Sequence, residues 1–428
     1  MSVVQNMPDR RSKSLLSASL LLNWAPGLLV IGAMTFNAIL AAINGNVRPL
    51  TSFHVIAAEI LLVSAAMCII LSRHRPEMTR WYVLIGIFCF FAILRSFATY
   101  EFEFKFLRDI LIVPVFILLG MTFDVRRLDR IVLIVTTIVL VAFIFEVIST
   151  SAYADFFKIQ TYYINTRGFE ADEFWNKEAT ELFLSVGRPD ERLFSFINLH
   201  RLSSVFLEPV SLGNYGIIIV IYLCARFHAI SKPARRFLIV GALAAIIGSD
   251  GRLAALSSAM IIMAAFIAPR LPYRSAFLYI PAILAFTALV VYFADYRAGT
   301  DDFPGRIAYT VELLAKYEVS DLLGVSDRYV SQAADSGIAY FIGTQSLFGL
   351  ALWWGFVVFG GKEETRDQIQ FIHALGLYVA LTLIVSFAIF SIKTASLLWF
   401  IYGVLQPRET TVPGRIFNKR QGFIMPTT

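Results

Sequence analysis

Charge is what this chain has least of: Asp, Glu, Lys and Arg make up 16% of its 428 residues, against about 25% in soluble domains. That shortage excludes an ordinary water-soluble globule. Cysteine is nearly absent. Cys68, Cys89 and Cys224 all fall inside apolar runs, and none is paired at metal-ligand spacing, so neither a disulfide framework nor a zinc site is expected. Histidine is scarce too, with five residues; His54 and His373 lie at apolar helix starts, His74 and His228 in connecting loops, and only His200 near other polar side chains. No HExxH, paired-Asp motif, P-loop or GxSxG is present, which leaves zinc hydrolysis and soluble-nucleotide chemistry without residues to stand on. No internal repeat is apparent, and no pair of interrupted helices recurs in matching halves, as many secondary transporters would show. Asp9-Arg10-Arg11-Ser12-Lys13 forms a basic flank, but the apolar run after it is too long for a signal-peptide core.

What is present is apolar sequence. Hydrophobic residues reach 57% and the mean hydropathy is +0.69. A bilayer core about 30 Å thick takes roughly 20 apolar residues per helix. Such runs fall at 24–43, 52–71, 81–98, 108–123, 131–150, 207–227, 236–248, 253–269, 275–294, 338–359, 370–389 and 394–406. The fourth, seventh and last are short. The expected fold is therefore an all-α polytopic membrane protein with about 12 transmembrane helices (10–12), forming one domain over 1–428. Lys and Arg concentrate on alternate connections: Arg73, Arg75 and Arg80; Arg126, Arg127 and Arg130; Lys232, Arg235 and Arg236; Arg270 and Arg274; Lys362 and Arg366. This bias predicts cytoplasmic N- and C-termini, with 407–428 as a cytoplasmic tail. It also accounts for most of the +6 net charge without a nucleic-acid partner. Two long segments, 151–206 and 295–337, fall on the opposite side. Phe156-Phe157-Lys158, Glu173-Phe174-Trp175 and Ile307–Tyr317 suit short amphipathic helices there.

Three clusters could carry chemistry. The first closes the first long segment: Arg188, Arg192, His200 and Arg201, then Leu202-Ser203-Ser204-Val205-Phe206-Leu207-Glu208-Pro209 and Gly213-Asn214-Tyr215. Arginine presents a planar fork that matches phosphate oxygens, and an ionisable Glu208 at a membrane surface is costly. The competing reading is that these arginines grip lipid headgroups and one of them pairs with Glu208. The second is Gly248-Ser249-Asp250-Gly251-Arg252, a turn in which Asp250 can cap the next helix and Arg252 enters its start. The third holds Arg328 and Asp335-Ser336-Gly337-Ile338-Ala339-Tyr340, with Gly349 beyond; Asp335 can cap the following helix or orient an arginine. Elsewhere, Glu101, Glu103, Lys105, Arg108 and Asp109 look like a solvated, self-neutralising loop. Glu59, Arg95, Glu146 and Lys393 look isolated near helix ends.

In this order, the clusters resemble the bacterial O-antigen and exopolysaccharide polymerase/ligase superfamily (Wzy-like). Arg201…Glu208-Pro209 with Gly213 is similar to the family's Arg…(Glu/Asp/Asn)-Pro…Gly stretch. Ser249-Asp250-Gly251-Arg252 is similar to its Ser-x-x-Arg turn, and Asp335-Ser336-Gly337 to its Asp-x-Gly stretch. Length and loop layout are most like xanthan-type exopolysaccharide polymerases. Two features depart from the family's patterns. Residues 295–337 contain no histidine, where the ligase branch carries one. The spacings Arg201 to Gly213 and Arg328 to Gly337 also miss the Arg-x(10)-Gly signature of some polymerases.

The resemblance implies a multi-pass protein of the bacterial inner membrane, with its active site facing the periplasm and no cofactor. It implies a glycosyltransferase that moves a growing glycan from polyprenyl diphosphate onto a lipid-linked repeat unit without a metal. Arg188, Arg192, Arg201, Arg252 and Arg328 would hold the diphosphate. Glu208 would be the base, and Asp250, Asp335 and His200 would support them. Burial of Glu208 raises its pKa and a neighbouring arginine lowers it, and residue order does not rank the two. Expected partners are the polyprenyl-diphosphate-linked oligosaccharide and membrane lipids, with a flippase and chain-length or export proteins as further candidates. The alternatives are an O-antigen ligase, a polysaccharide flippase or other transporter, and a non-catalytic secretion-complex subunit.

Overall fold

The computed structural model describes residues 10–170, 181–182, 193–194, 200–299, 303–360 and 365–406, and among them there is no β-strand. The chain forms α1 (Arg10–Asn46), α2 (Ser52–Ser72), α3 (Thr79–Thr99), α4 (Phe104–Met121) and α5 (Val125–Ile148), then the short α6 (Thr150–Phe157) and α7 (Ile159–Arg167). The next helices are α8 (Pro209–Arg226), α9 (Lys232–Ser249), α10 (Arg252–Ile267) and α11 (Tyr279–Ala294). The last are α12 (Phe303–Ala315), α13 (Val319–Leu322), α14 (Gly337–Phe359), α15 (Arg366–Val385) and α16 (Ile392–Val404).

Local chemistry sets the helix starts. Pro209 opens α8, where its missing N–H costs nothing. Asp124 accepts from the Arg126 N–H at 3.0 Å to cap α5. Thr365 and Gln368 form a reciprocal capping box at α15, with bonds of 3.0 and 3.3 Å.

Among the described residues, nine helices are long and apolar enough to cross a membrane: α1, α2, α3, α5, α8, α10, α11, α14 and α15. Each of the twelve apolar runs nonetheless lies on a helix. The three that fall short are the three short runs: α4 and α9 begin with clustered charges, and α16 has 13 residues. α4 and α16 are core elements all the same. Their backbones meet at Gly120 and Gly403, where a Cβ on either glycine would strike a carbonyl of the opposite helix, Phe400 or Ile117. The centre of the bundle is α8, buried over most of its length, with Ile217, Ile218, Ile219, Val220 and Ile221 all enclosed. Large apolar side chains on α2, α10 and α11, among them Leu61, Phe266, Phe286 and Phe293, face outward instead. An apolar outer surface of this kind fits lipid.

The helix count aside, α14 differs from the expected uninterrupted span. It is broken at Ser346, whose φ of 73° and ψ of 160° fall outside helical geometry. The backbone around Gly324, itself at φ +71°, packs against the break, and Ser346 Oγ accepts from the Gly349 N–H at 2.9 Å.

The two long segments cover the same end of the bundle. Asn46 at the end of α1 donates to Phe156 O at 2.7 Å, and the Leu202 N–H donates to Gly248 O, near the end of α9, at 2.8 Å. On the other segment, Thr310 donates to Ile384 O, at the end of α15, at 2.5 Å.

Candidate functional site

The first and second sequence clusters meet at this end. Arg201 is buried, and its Nε donates to Ser249 O at 2.9 Å. A Cβ on Gly213 would touch Ser249 Oγ and Ala254 Cβ, so the start of α8 lies directly against the α9–α10 turn. Asp250 adopts φ +47° and accepts from the Phe194 N–H at 2.9 Å. It does not cap α10, contrary to the sequence reading: Gly251 occupies the N-cap. Asp250 ties the turn to the long segment instead. Arg252 is the first residue of α10, partly buried.

Behind Arg201 lies Glu146, fully enclosed in the last turn of α5. It accepts from the N–H groups of Ser203 and Ser204 at 2.9 and 2.7 Å, and His200 Nε2 lies 3.1 Å from its Oε1.

Glu208 precedes α8 and is bound on every side. Lys393, the second residue of α16, forms an ion pair with its Oε2 at 2.6 Å. Tyr163 of α7 donates to Oε1 at 2.6 Å, and Ser211 donates to Oε2 at 2.9 Å. Arg167 at the end of α7 stacks over the Tyr163 ring at 5.0 Å. Burial by itself would raise the Glu208 pKa, but the Lys393 ammonium and the Arg167 guanidinium outweigh it and hold the group down at about 2. The competition that the residue order left open is decided in favour of the charged form.

From Glu208 a chain of alternating charge runs across the bundle end. Arg167 acts electrostatically on both Glu208 and Glu59. Glu59 pairs with Arg108 at 2.6 Å, Arg108 with Asp109 at 2.6 Å, and Tyr340 of α14 donates to Asp109 Oδ2 at 2.8 Å. Arg95 pairs with Asp327 and donates to Gly324 O, Ser326 O and Gly343 O at 3.3, 3.0 and 2.7 Å, gripping the α14 break.

Two expectations are corrected here. Arg108 and Asp109 do not belong to a solvated loop, because Asp109 is buried and Arg108 bridges two acids. Glu59, Arg95, Glu146 and Lys393 are not isolated, since each is paired with a residue distant in sequence. Sequence reasoning missed them because the partners lie far apart along the chain. The available signal was their position within about two turns of a helix end, N-terminal for Glu59 and Lys393 and C-terminal for Arg95 and Glu146, which alternating helices bring to one end of the bundle.

Charges of the third cluster pair within the second long segment. Arg328 pairs with Glu318 at 2.6 Å, and Arg306 with Asp335 at 3.7 Å. Ser336, not Asp335, caps α14. Arg188, Arg192 and Glu173-Phe174-Trp175 lie outside the described residues. Among the described residues, no three His, Cys, Asp or Glu side chains gather as metal ligands.

No family model matches this chain, and neither does any curated protein or solved structure.

Proposed function

We propose that this chain is a polysaccharide polymerase of a bacterial inner membrane, taking a polyprenyl-diphosphate-linked glycan as donor and a lipid-linked repeat unit as acceptor. In this reading all twelve helices cross the bilayer, both termini are cytoplasmic, and the end bearing the two long segments faces the periplasm. The observation that carries it is the joining of the Arg201 motif to the Ser249–Arg252 turn, at the start of the same α8 that Glu208 precedes with its Lys393 partner.

The reaction forms a bond from an acceptor hydroxyl oxygen to the anomeric carbon and breaks the bond from that carbon to the diphosphate oxygen. The electron pair leaves on the diphosphate. Arg201 and Arg252 stabilise that developing charge, with Arg188, Arg192 and Arg328 as further ligands. Glu208, held ionised, is a poor proton acceptor; here it anchors Lys393 and Tyr163, and the departing diphosphate takes the acceptor's proton.

The test is a ladder of longer glycans from purified protein and a defined polyprenyl-diphosphate repeat unit. Loss of Arg201 or Arg252 to alanine lowers the rate on the order of 10²-fold. No ladder from a folded wild-type protein with its cognate substrate overturns the proposal. The absence of histidine in 295–337 favours this reading over the ligase alternative.

A second reading, a lipid-glycan transporter, is favoured by the number of buried charges. Against it, α8 carries polar groups at both ends, Glu208-Ser211-Asn214 and Tyr222-Arg226, with only the enclosed apolar run 217–221 between them.

A further inference from the structure

Arg201 is held by a neighbour that the proposed chemistry leaves unused. Glu146 has no exposure to solvent, and three donors converge on its carboxylate: the consecutive backbone N–H groups of Ser203 and Ser204, and the His200 ring. The segment it organises is far from relaxed. Ser204 and Leu207 are non-glycine residues at φ +50° and +63°, a region that persists only where surroundings enforce it. Those surroundings are on hand. Tyr153 donates to Ser204 O at 2.5 Å, and Ser204 Oγ donates to Val139 O at 2.7 Å.

Arg201 is thereby bracketed. The residue before it, His200, is tied to α5 through Glu146, and the residue after it, Leu202, is tied to the end of α9 through Gly248 O. The Nε bond to Ser249 O anchors one edge of the guanidinium as well.

We propose that Glu146 is a positioning residue that holds Arg201 in register against the α9–α10 turn. The inference rests on the reading in which Arg201 binds the departing diphosphate. A carboxylate suits this task because both oxygens accept, and hydrogen bonds to an ionised acceptor are roughly twice as strong as neutral ones. Glutamine has nearly the same shape, but it offers one acceptor oxygen and turns an NH2 group toward donors.

The experiment compares wild type with Glu146→Gln, each reconstituted in nanodiscs and checked for an unchanged unfolding temperature to within a few degrees. Two readouts follow. Hydrogen exchange of the peptide spanning 200–207 accelerates at least about tenfold in Glu146→Gln while α8 keeps its protection, as expected when charge-assisted bonds are exchanged for neutral ones. With a defined polyprenyl-diphosphate repeat unit, kcat falls at least about tenfold while KM changes less, within about twofold, because a misplaced Arg201 loses most where additional charge develops on the leaving oxygen and the other arginines still hold the ground-state diphosphate. Unchanged exchange in 200–207, or an unchanged kcat, overturns the assignment of Glu146. Exchange that accelerates throughout the bundle does so too, since it marks general destabilisation. A wild type that makes no ladder overturns the polymerase reading alone, and the exchange measurement still decides whether Glu146 organises the segment.

Discussion

Replacing Lys393 with methionine, one atom shorter, removes the charge and leaves Glu208 enclosed with Arg167 as its remaining cation. The Lys393 side chain is 5% exposed and that of Glu208 17%, so solvent screens the pair poorly. Deleting one partner of a buried pair costs about 3–5 kcal/mol. Glu208 keeps two hydroxyl donors, Tyr163 at 2.6 Å and Ser211 at 2.9 Å, which places the expected loss near the lower bound, about 3 kcal/mol. The assay is unfolding of the purified protein in mixed micelles by SDS titration, followed at several pH values.

The pH dependence carries the sharper test. In the wild type the Glu208 pKa is depressed to about 2, so its contribution to stability is complete above the unfolded-state value, about 4.3, and is lost only as pH falls from there toward the folded value. Between pH 7 and pH 5 this group leaves the wild type flat. In Lys393→Met the largest lowering influence is gone while Arg167 and the Tyr163 hydroxyl remain, so the folded pKa moves up from its wild-type position and the stability that depends on Glu208 ionisation shrinks. The double variant Glu208→Gln/Lys393→Met removes both charges and recovers most of the loss. A single variant within about 1 kcal/mol of wild type refutes the reasoning, as does a double variant no more stable than the single one.

Other consequences are simpler to state. Gly403→Val places branched carbons against the Ile117 carbonyl and separates α4 from α16; the expected cost is about 1–3 kcal/mol, read as a reduced monodisperse fraction by fluorescence size-exclusion chromatography. Arg95→Gln loses the ion pair to Asp327 and most of the grip on the carbonyls of Gly324, Ser326 and Gly343; limited proteolysis should then cut within 319–330 at least several-fold faster than in wild type. Tyr163→Phe removes one hydroxyl from Glu208 and should cost about 1–2 kcal/mol in the same unfolding assay, with no change in the number of charges.

The apolar runs were legible because a membrane demands backbone bonds closed within each helix, so length and hydropathy are local properties. Even the three runs whose brevity stood out are the three that fall short of a full span. The Arg201 stretch and the 248–252 turn also announced themselves, since turns and basic flanks are written in consecutive residues. The pairings were not legible. Lys393 and Glu208 are separated by most of the second half of the chain, and Glu59 meets Arg108 only because α2 packs beside α4. Nothing in a stretch such as 104–109 distinguishes a loop from the charged first turns of a core helix until its neighbours supply the acids and hydroxyls. The break at Ser346 was hidden for a related reason. It occurs at the end of the short polar stretch Gly343-Thr344-Gln345-Ser346 in an otherwise apolar run, and tertiary contacts from Arg95 and Gly324 hold it open.

The enclosed run from Ile217 to Ile221 also governs how this protein responds to the voltage across its membrane. Carrying one elementary charge through the full field does about 2.3 kcal/mol of work per 100 mV. Lys393 and Glu208 sum to zero charge, and the 217–221 run of α8 offers no polar group by which either charge could cross. Electrical energy therefore has no handle on the pair. In the polymerase reading the transfer draws on the bond to the departing diphosphate, and vesicles stripped of their potential by an ionophore should polymerise at full rate.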